Sequence, residues 1–163
     1  MTSGLPAAAN GDDTSAAERA AVLDAIARAL AARDQTGKAG IAATVLRNGR
    51  PVSQGENEVH LQSDPTRHAE MVAITRAAHA LNTTDLSDCV MISTLQPCEM
   101  CLAALRFAGI RRVIFAARKE QVAKKYFVFP HLGITDFQHG DSFDAIGGIS
   151  EDLIVHLYAL GEA

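Results

Sequence analysis

Residues 88–117 read DCVMISTLQPCEMCLAALRFAGIRRVIFAA. Two short apolar runs rich in branched side chains, DCVMISTL and RRVIFAA, flank a segment that Pro97 opens and Gly109 closes. Apolar runs of that length bounded by breakers read as buried strands. A proline at the start and a glycine past the end bracket a helix. Strand, helix and strand in so little chain form the crossover that joins parallel neighbours in one sheet.

Working outward, the upstream segment SDPTRHAEMVAITRAAHAL predicts a second helix, with Asp64 as its cap, Pro65 at its first position and a core stripe of Met71, Ile74, Ala78 and Leu81. Before it, AGIAATVLRNGRPVSQGEN is two apolar stretches joined by Asn48-Gly49, the strongest short signal for a hairpin. Further upstream, SAAERAAVLDAIARALAARDQTG opens with a capping box, Ser15 with Glu18, and predicts a helix over 16–34 that ends near Gly37. Downstream, a short helical stretch near 119–125 and a last helix from Ser150 are expected. The order helix, hairpin, helix, strand, helix, strand, helix predicts an α/β fold. A largely parallel, mixed central sheet would carry a hairpin at one edge and helices on both faces, in three layers.

The chain has 163 residues, enough for one domain; the expected domain is 14–163, behind a disordered leader over 1–13. With 48% hydrophobic and 21% charged residues and a mean hydropathy of +0.06, the composition is globular. No run approaches the length of a membrane helix, and the leader lacks a basic start, so a cytoplasmic protein without membrane contact is expected. A net charge of −4 argues against a nucleic-acid partner. Seven basic residues nevertheless lie between Arg106 and Lys125, and six acids with no Lys or Arg follow from Tyr126 onward.

Two packets carry chemistry. Cys98 and Cys101 share one face of a helix and can converge on a single ion. His68 and Glu70, two apart, can converge only around a helix's first turn, where side chains lean toward the N-terminus. One imidazole and two thiolates are the three protein ligands of a catalytic zinc site, which keeps its fourth position for water. Glu70 then stands ready to carry protons between that water and a leaving group. Three cysteines without a signal peptide do not form a disulfide framework. A rival reading adds Cys89 as a fourth ligand and closes the site into structural zinc, although a thiol inside an apolar strand is more simply a small hydrophobe. Of the remaining histidines, His60 alone lies on the approach to the site.

His-x-Glu followed by Pro-Cys-x-x-Cys is the pattern of the zinc deaminases, and the chain from about Val45 to Ala117 resembles the cytidine deaminase superfamily. The densest matches, DPTRHAEMVAI and TLQPCEMCLAAL, are similar to the branch holding guanine, free-base cytosine and tRNA adenosine deaminases. The resemblance implies a cytidine deaminase-like fold and one zinc per chain on His68, Cys98 and Cys101. It implies Glu70 as the proton shuttle and hydrolytic release of ammonia by zinc-bound hydroxide. It further implies substrate contacts at Asn57, eleven residues before the histidine, at Ala69, and at the Gln96 carbonyl, with the Cys98 amide gripping the reacting groups. By the same resemblance KKYFVFPHLGITDF closes the pocket, with Phe127 and Phe129 as stacking faces, and the chain forms a homodimer.

The tRNA enzymes continue their last strand with GARD where this chain has AARK, putting Lys119 in place of an aspartate. The tryptophan of the cytosine enzymes has no counterpart, because the chain has no Trp. A small free heterocyclic amine of the guanine or aminotriazine type is therefore the expected substrate, with cytosine next and tRNA adenosine as the alternative. Asp136, Asp141 and Asp144 are candidates for reading ring N–H groups, or else turn and cap residues.

Overall fold

A computed structural model describes residues 13–37, 40–138, 140 and 142–160. Residues 1–12 of the expected leader, and Asp141, lie outside the described residues. α1 (Ala16–Thr36) starts at the expected capping box, both halves of which form, and ends at Gly37 with φ 72°. β1 (Ala42–Arg47) and β2 (Arg50–Glu56) pair antiparallel around Asn48 and Gly49, both at positive φ as a primed turn demands. There follow α2 (Val59–Gln62), α3 (Ala69–Leu81), β3 (Cys89–Leu95), α4 (Glu99–Phe107), β4 (Arg112–Ala117), β5 (Asp144–Ile146) and α5 (Val155–Ala159).

The sheet runs β2-β1-β3-β4-β5. β3, β4 and β5 are parallel, whereas β1 lies antiparallel to both β2 and β3, so the sheet is mixed. Strand alternation divides the core into two layers. Ala42, Leu46, Ile92, Ile114 and Ile146 pack against α1 and α5; Ala43, Val45, Met91, Val113 and Phe115 pack against α3 and α4. The three-layer α/β/α arrangement follows.

Several local expectations are corrected. Asp64 and Pro65 do not start a helix: the Asp64 carboxylate accepts from the Thr66 amide at 2.8 Å and closes a turn, and α3 begins four residues beyond Pro65 with His68 as its N-cap. Pro97 precedes the N-cap Cys98 rather than occupying the first helical position. The stretch 119–125 is two 3₁₀ turns, and the last helix starts at Val155 after another. Three-residue β5 is too short to leave a periodic signature in the sequence. The core stripe of α3 is also different. Ala69, Val72, Ala73 and Ala77 are buried, while Met71, Ile74, Ala78 and Leu81 are only partly so. Small side chains face inward because β2 approaches closely at Gly55, where a Cβ would lie 2.5 Å from the Ala69 carbonyl oxygen.

Candidate active site

Parallel strands place their C-terminal ends, and the N-termini of the helices after them, on one edge of the sheet. β3 ends at Leu95, and Gln96-Pro97 carries the chain to Cys98, the N-cap of α4. Across from it His68 caps α3. Both caps have extended backbone; the His68 side chain does not cap its own helix, and the Cys98 thiol turns to Cys101 in the first turn of α4, so imidazole and thiols meet between the two helix ends. The metal-binding packets thus sit where two positive helix ends meet, which favours thiolate.

Within the described residues His68, Cys98 and Cys101 form a group whose ligand atoms all lie within 4.8 Å of one another. The His68 Nδ1 is 3.5 Å from the Cys98 Sγ and 3.7 Å from the Cys101 Sγ. A zinc tetrahedron with Zn–N of about 2.0–2.1 Å and Zn–S of about 2.3 Å has N···S edges of roughly 3.6 Å. Donor types and spacing both fit one zinc ion. Cys89 is not part of that group; it stands at the far end of β3, six residues and roughly 20 Å along the strand from Leu95. It is buried, its thiol points to Asp88 Oδ1, and burial pushes its pKa up to about 11. The structural four-ligand site is thereby excluded.

Without a metal the two thiols divide one proton. Cys98 accepts from Cys101 and from His68, which pulls its pKa down to about 4 despite burial. Cys101, the donor of that pair and buried, is pushed well up. The Cys98 thiolate in turn raises His68. Glu70, 4% exposed in the first turn of α3, is raised by burial and then by the charge on Cys98. Its Oε2 accepts from the Cys101 thiol at 3.5 Å and its Oε1 from the Ser93 hydroxyl at 3.1 Å.

Ser93 was not singled out in the sequence. Strand alternation puts it on the α3 face of β3, and its Oγ also lies 2.7 Å from the Leu95 carbonyl. A hydroxyl has one proton. It can donate to an ionised Glu70, or turn to Leu95 and accept from a protonated one. Glu99, in the first turn of α4, was likewise passed over; a charged residue between two ligand cysteines was the available signal.

His68, Glu70, Cys98 and Glu99 line a cavity of about 530 Å³ that Asn57, Ala69, Gln96 and Phe129 also line, with Tyr126 and Val128 beside Phe129. Phe127 is placed elsewhere. It is buried, lines a neighbouring cavity, and carries the Lys119 ammonium 5.0 Å above its ring. Lys119 also donates to the carbonyls of Pro130 at 3.0 Å and Leu132 at 2.7 Å, while its amide donates to the Gln96 side chain. His60 is exposed on α2 and does not line the cavity. Asp136 accepts from the Gly133 amide, and Asp144 pairs with Arg112, so neither faces the cavity.

The sequence over residues 15–117 matches the family model of the cytidine and deoxycytidylate deaminase zinc-binding region. Guanine deaminase of Bacillus subtilis (strain 168) is 35% identical over 85 residues, which are 52% of this chain and 54% of that one. The chain thus spans about half the length of that relative. The tRNA-specific adenosine deaminase of Aquifex aeolicus (strain VF5) is 41% identical over 105 residues, 64% of this chain and 70% of that one. A solved structure of guanine deaminase from Nitrosomonas europaea superposes with a TM-score of 0.71 at 23% identity, covering 85% of this chain and 81% of that one. That likeness bears on the fold alone.

Proposed function

The chain belongs to the family of the cytidine and deoxycytidylate deaminase zinc-binding region, and from that premise we propose that it hydrolytically deaminates a small free heterocycle, of the guanine or aminotriazine type first and cytosine next. One observation carries the reading: a zinc-type ligand triad and a buried carboxyl converge on one cavity. Zinc in that triad supplies Lewis acidity, which makes hydroxide available near neutral pH. Glu70 takes the proton of the attacking water and delivers it to the departing amine. Oxygen joins the amine-bearing ring carbon, the C–N bond breaks, and ammonia leaves. Ser93 follows the carboxyl through both protonation states by turning its single proton.

Asn57, Ala69 and Gln96 hold the ring, and Tyr126 and Phe129 give it aromatic faces. A cavity of about 530 Å³ suits a single base. The tRNA reading is favoured by the Aquifex relative and by Lys125 at the cavity wall. Against it, Lys119 is spent on the protein's own carbonyls and the net charge is −4. An ammonia-release screen of guanine, cytosine, adenine, aminotriazines and tRNA, with zinc content measured alongside, tests the proposal. Turnover of a free base supports it; turnover of tRNA alone replaces it with the second reading.

A cytoplasmic homodimer belongs to the same proposal. Among the described residues no helix is long and apolar enough to cross a membrane. On α3 and α4, Ile74, Ala78, Ala104 and a Phe107 that is 94% exposed form an apolar groove suited to a second copy. Sedimentation of the protein and of Phe107→Glu should show dimer and monomer respectively; a monomeric wild type removes that part.

A further inference from the structure

Tyr158 of α5 is fully buried in the core layer shared with α1, where every other enclosed member of the cluster is Ala, Val, Ile or Leu. It does not line the substrate cavity. Its hydroxyl lies 2.7 Å from the Gly40 carbonyl oxygen and 2.8 Å from the Thr94 Oγ1. The Thr94 Oγ1 in turn accepts from the Ala42 amide at 3.1 Å.

Counting protons fixes the direction of every bond. A carbonyl only accepts, so the phenol spends its one proton on Gly40. The Thr94 hydroxyl then donates to the phenol oxygen while it accepts from Ala42. Ala42 N–H, Thr94 O–H, Tyr158 O–H and Gly40 C=O form one chain of bonds that leaves the backbone on one side of Ile41 and returns to it on the other. Burial pushes the phenol's pKa up, so its proton stays in place. A buried network with every member satisfied holds those members in one geometry.

The members held are those that carry the cavity lining. Ile41 lines the cavity, and its carbonyl accepts from the Asn57 amide at 3.2 Å. Leu95, the residue after Thr94, lines it as well. Tyr126 lines it too, and its ring meets the Tyr158 ring with 5.9 Å between centroids and 77° between planes. The Tyr158 carbonyl also accepts from the Ala123 amide at 3.0 Å, which ties down the turn that carries Tyr126. Three separate segments of the lining, 40–42, 94–95 and 123–126, thus rest on one residue.

We infer that Tyr158 is a positioning residue for substrate: by fixing Ile41, Leu95 and Tyr126 relative to one another it sets the shape of the cavity, and with it the affinity for a flat heterocycle. The inference rests on the deamination reading above and deepens it with a residue outside both the cavity lining and the metal group. Withdrawal of a lining side chain by roughly 0.5–1 Å already forfeits a quarter to a half of its contact energy.

The test compares zinc-loaded wild type with Tyr158→Phe and Thr94→Val. Arg112→Met, which breaks an ion pair with Glu18 at the opposite end of the sheet, serves as the control. All three variants should melt several degrees below wild type. Only the first two should raise KM for the free base that wild type turns over best, by roughly fivefold or more, with kcat within about twofold and zinc content unchanged. The double variant should raise KM by less than the product of the two effects, because both break the same chain of bonds. Tyr158→Leu, which also removes the ring contact with Tyr126, should raise it further. Without substrate, amide hydrogen exchange at Ala42 and Asn57 should quicken in Tyr158→Phe and not in Arg112→Met. If a free base is turned over and both Tyr158→Phe and Thr94→Val match wild type in KM, the inference falls and the deamination reading stands. If wild type releases ammonia from no free base, the deamination reading falls and exchange at those two amides decides the inference. Faster exchange in Tyr158→Phe but not in Arg112→Met keeps Tyr158 as the residue that shapes the cavity; unaltered exchange removes it.

Discussion

At Glu70 the chain holds a carboxyl that is 4% exposed, in contact with a serine hydroxyl and a thiol. Removing its charge while keeping its shape separates chemistry from folding. Glu70→Gln should retain stoichiometric zinc while kcat falls by roughly 10²–10⁴, and the metal-free variant should melt no lower than wild type, because burial opposes the charged form. Robust turnover in that variant would remove Glu70 from its role. The thiols supply a second expectation. Cys98 is a thiolate down to about pH 4, whereas Cys101, pushed up, keeps its proton at neutral pH, and His68 is raised toward its charged form. All three must be proton-free at their ligating atoms to hold zinc, so capture at pH 7 should release roughly one to two protons and affinity should fall as pH drops. Calorimetry in buffers of different ionisation enthalpy measures this; binding without proton release would contradict the division of charge between the cysteines.

At the scale of elements, the position of α3 decides whether His68 and Glu70 reach the ligands on α4. That position depends on Gly55, where an added Cβ would meet the Ala69 oxygen at 2.5 Å and the Ala73 nitrogen at 2.8 Å. Both obstacles are backbone, and neither can move without shifting the helix. Gly55→Ala should cost about 2 kcal/mol or more and lower the melting temperature by about 4–8 °C, with zinc affinity falling in parallel as the two helix N-termini part. A variant as stable and as zinc-loaded as wild type would show that α3 is placed by its other contacts. The alanine ladder Ala69, Ala73 and Ala77 belongs to the same close approach, which is why the larger Met71, Ile74 and Leu81 are displaced to the rim.

For the molecule as a whole, the cavity exists because segments far apart in sequence are tied together. Lys119, just past β4, holds the carbonyls of Pro130 and Leu132 and stacks over Phe127, while its amide binds the Gln96 side chain beside the ligand loop. Tyr126, Val128 and Phe129 are thereby held as one wall of the cavity. Lys119→Met should loosen this wall, with faster hydrogen exchange over 125–132 and a several-fold rise in KM that exceeds any fall in kcat. Unaltered exchange would mean that the wall holds itself.

The sequence by itself determined the long elements and marked the candidate reagents. Capping box, Asn-Gly turn and short apolar runs between breakers are local patterns, and each ties one stretch of chain to one conformation. The candidate ligands and the candidate proton carrier stand out for the same reason, since Cys98 with Cys101 and His68 with Glu70 are spaced by local backbone geometry. Tertiary structure decided what local spacing cannot express. It laid β1 antiparallel to β3, turned the small face of α3 inward, and excluded Cys89 from the metal group by the length of β3. It also put Ser93 against Glu70, sent Phe127 away from the cavity that holds Phe129, and left Glu99 buried without a donor. Each of these is a distance between residues that the chain does not set until the sheet and its helices have packed.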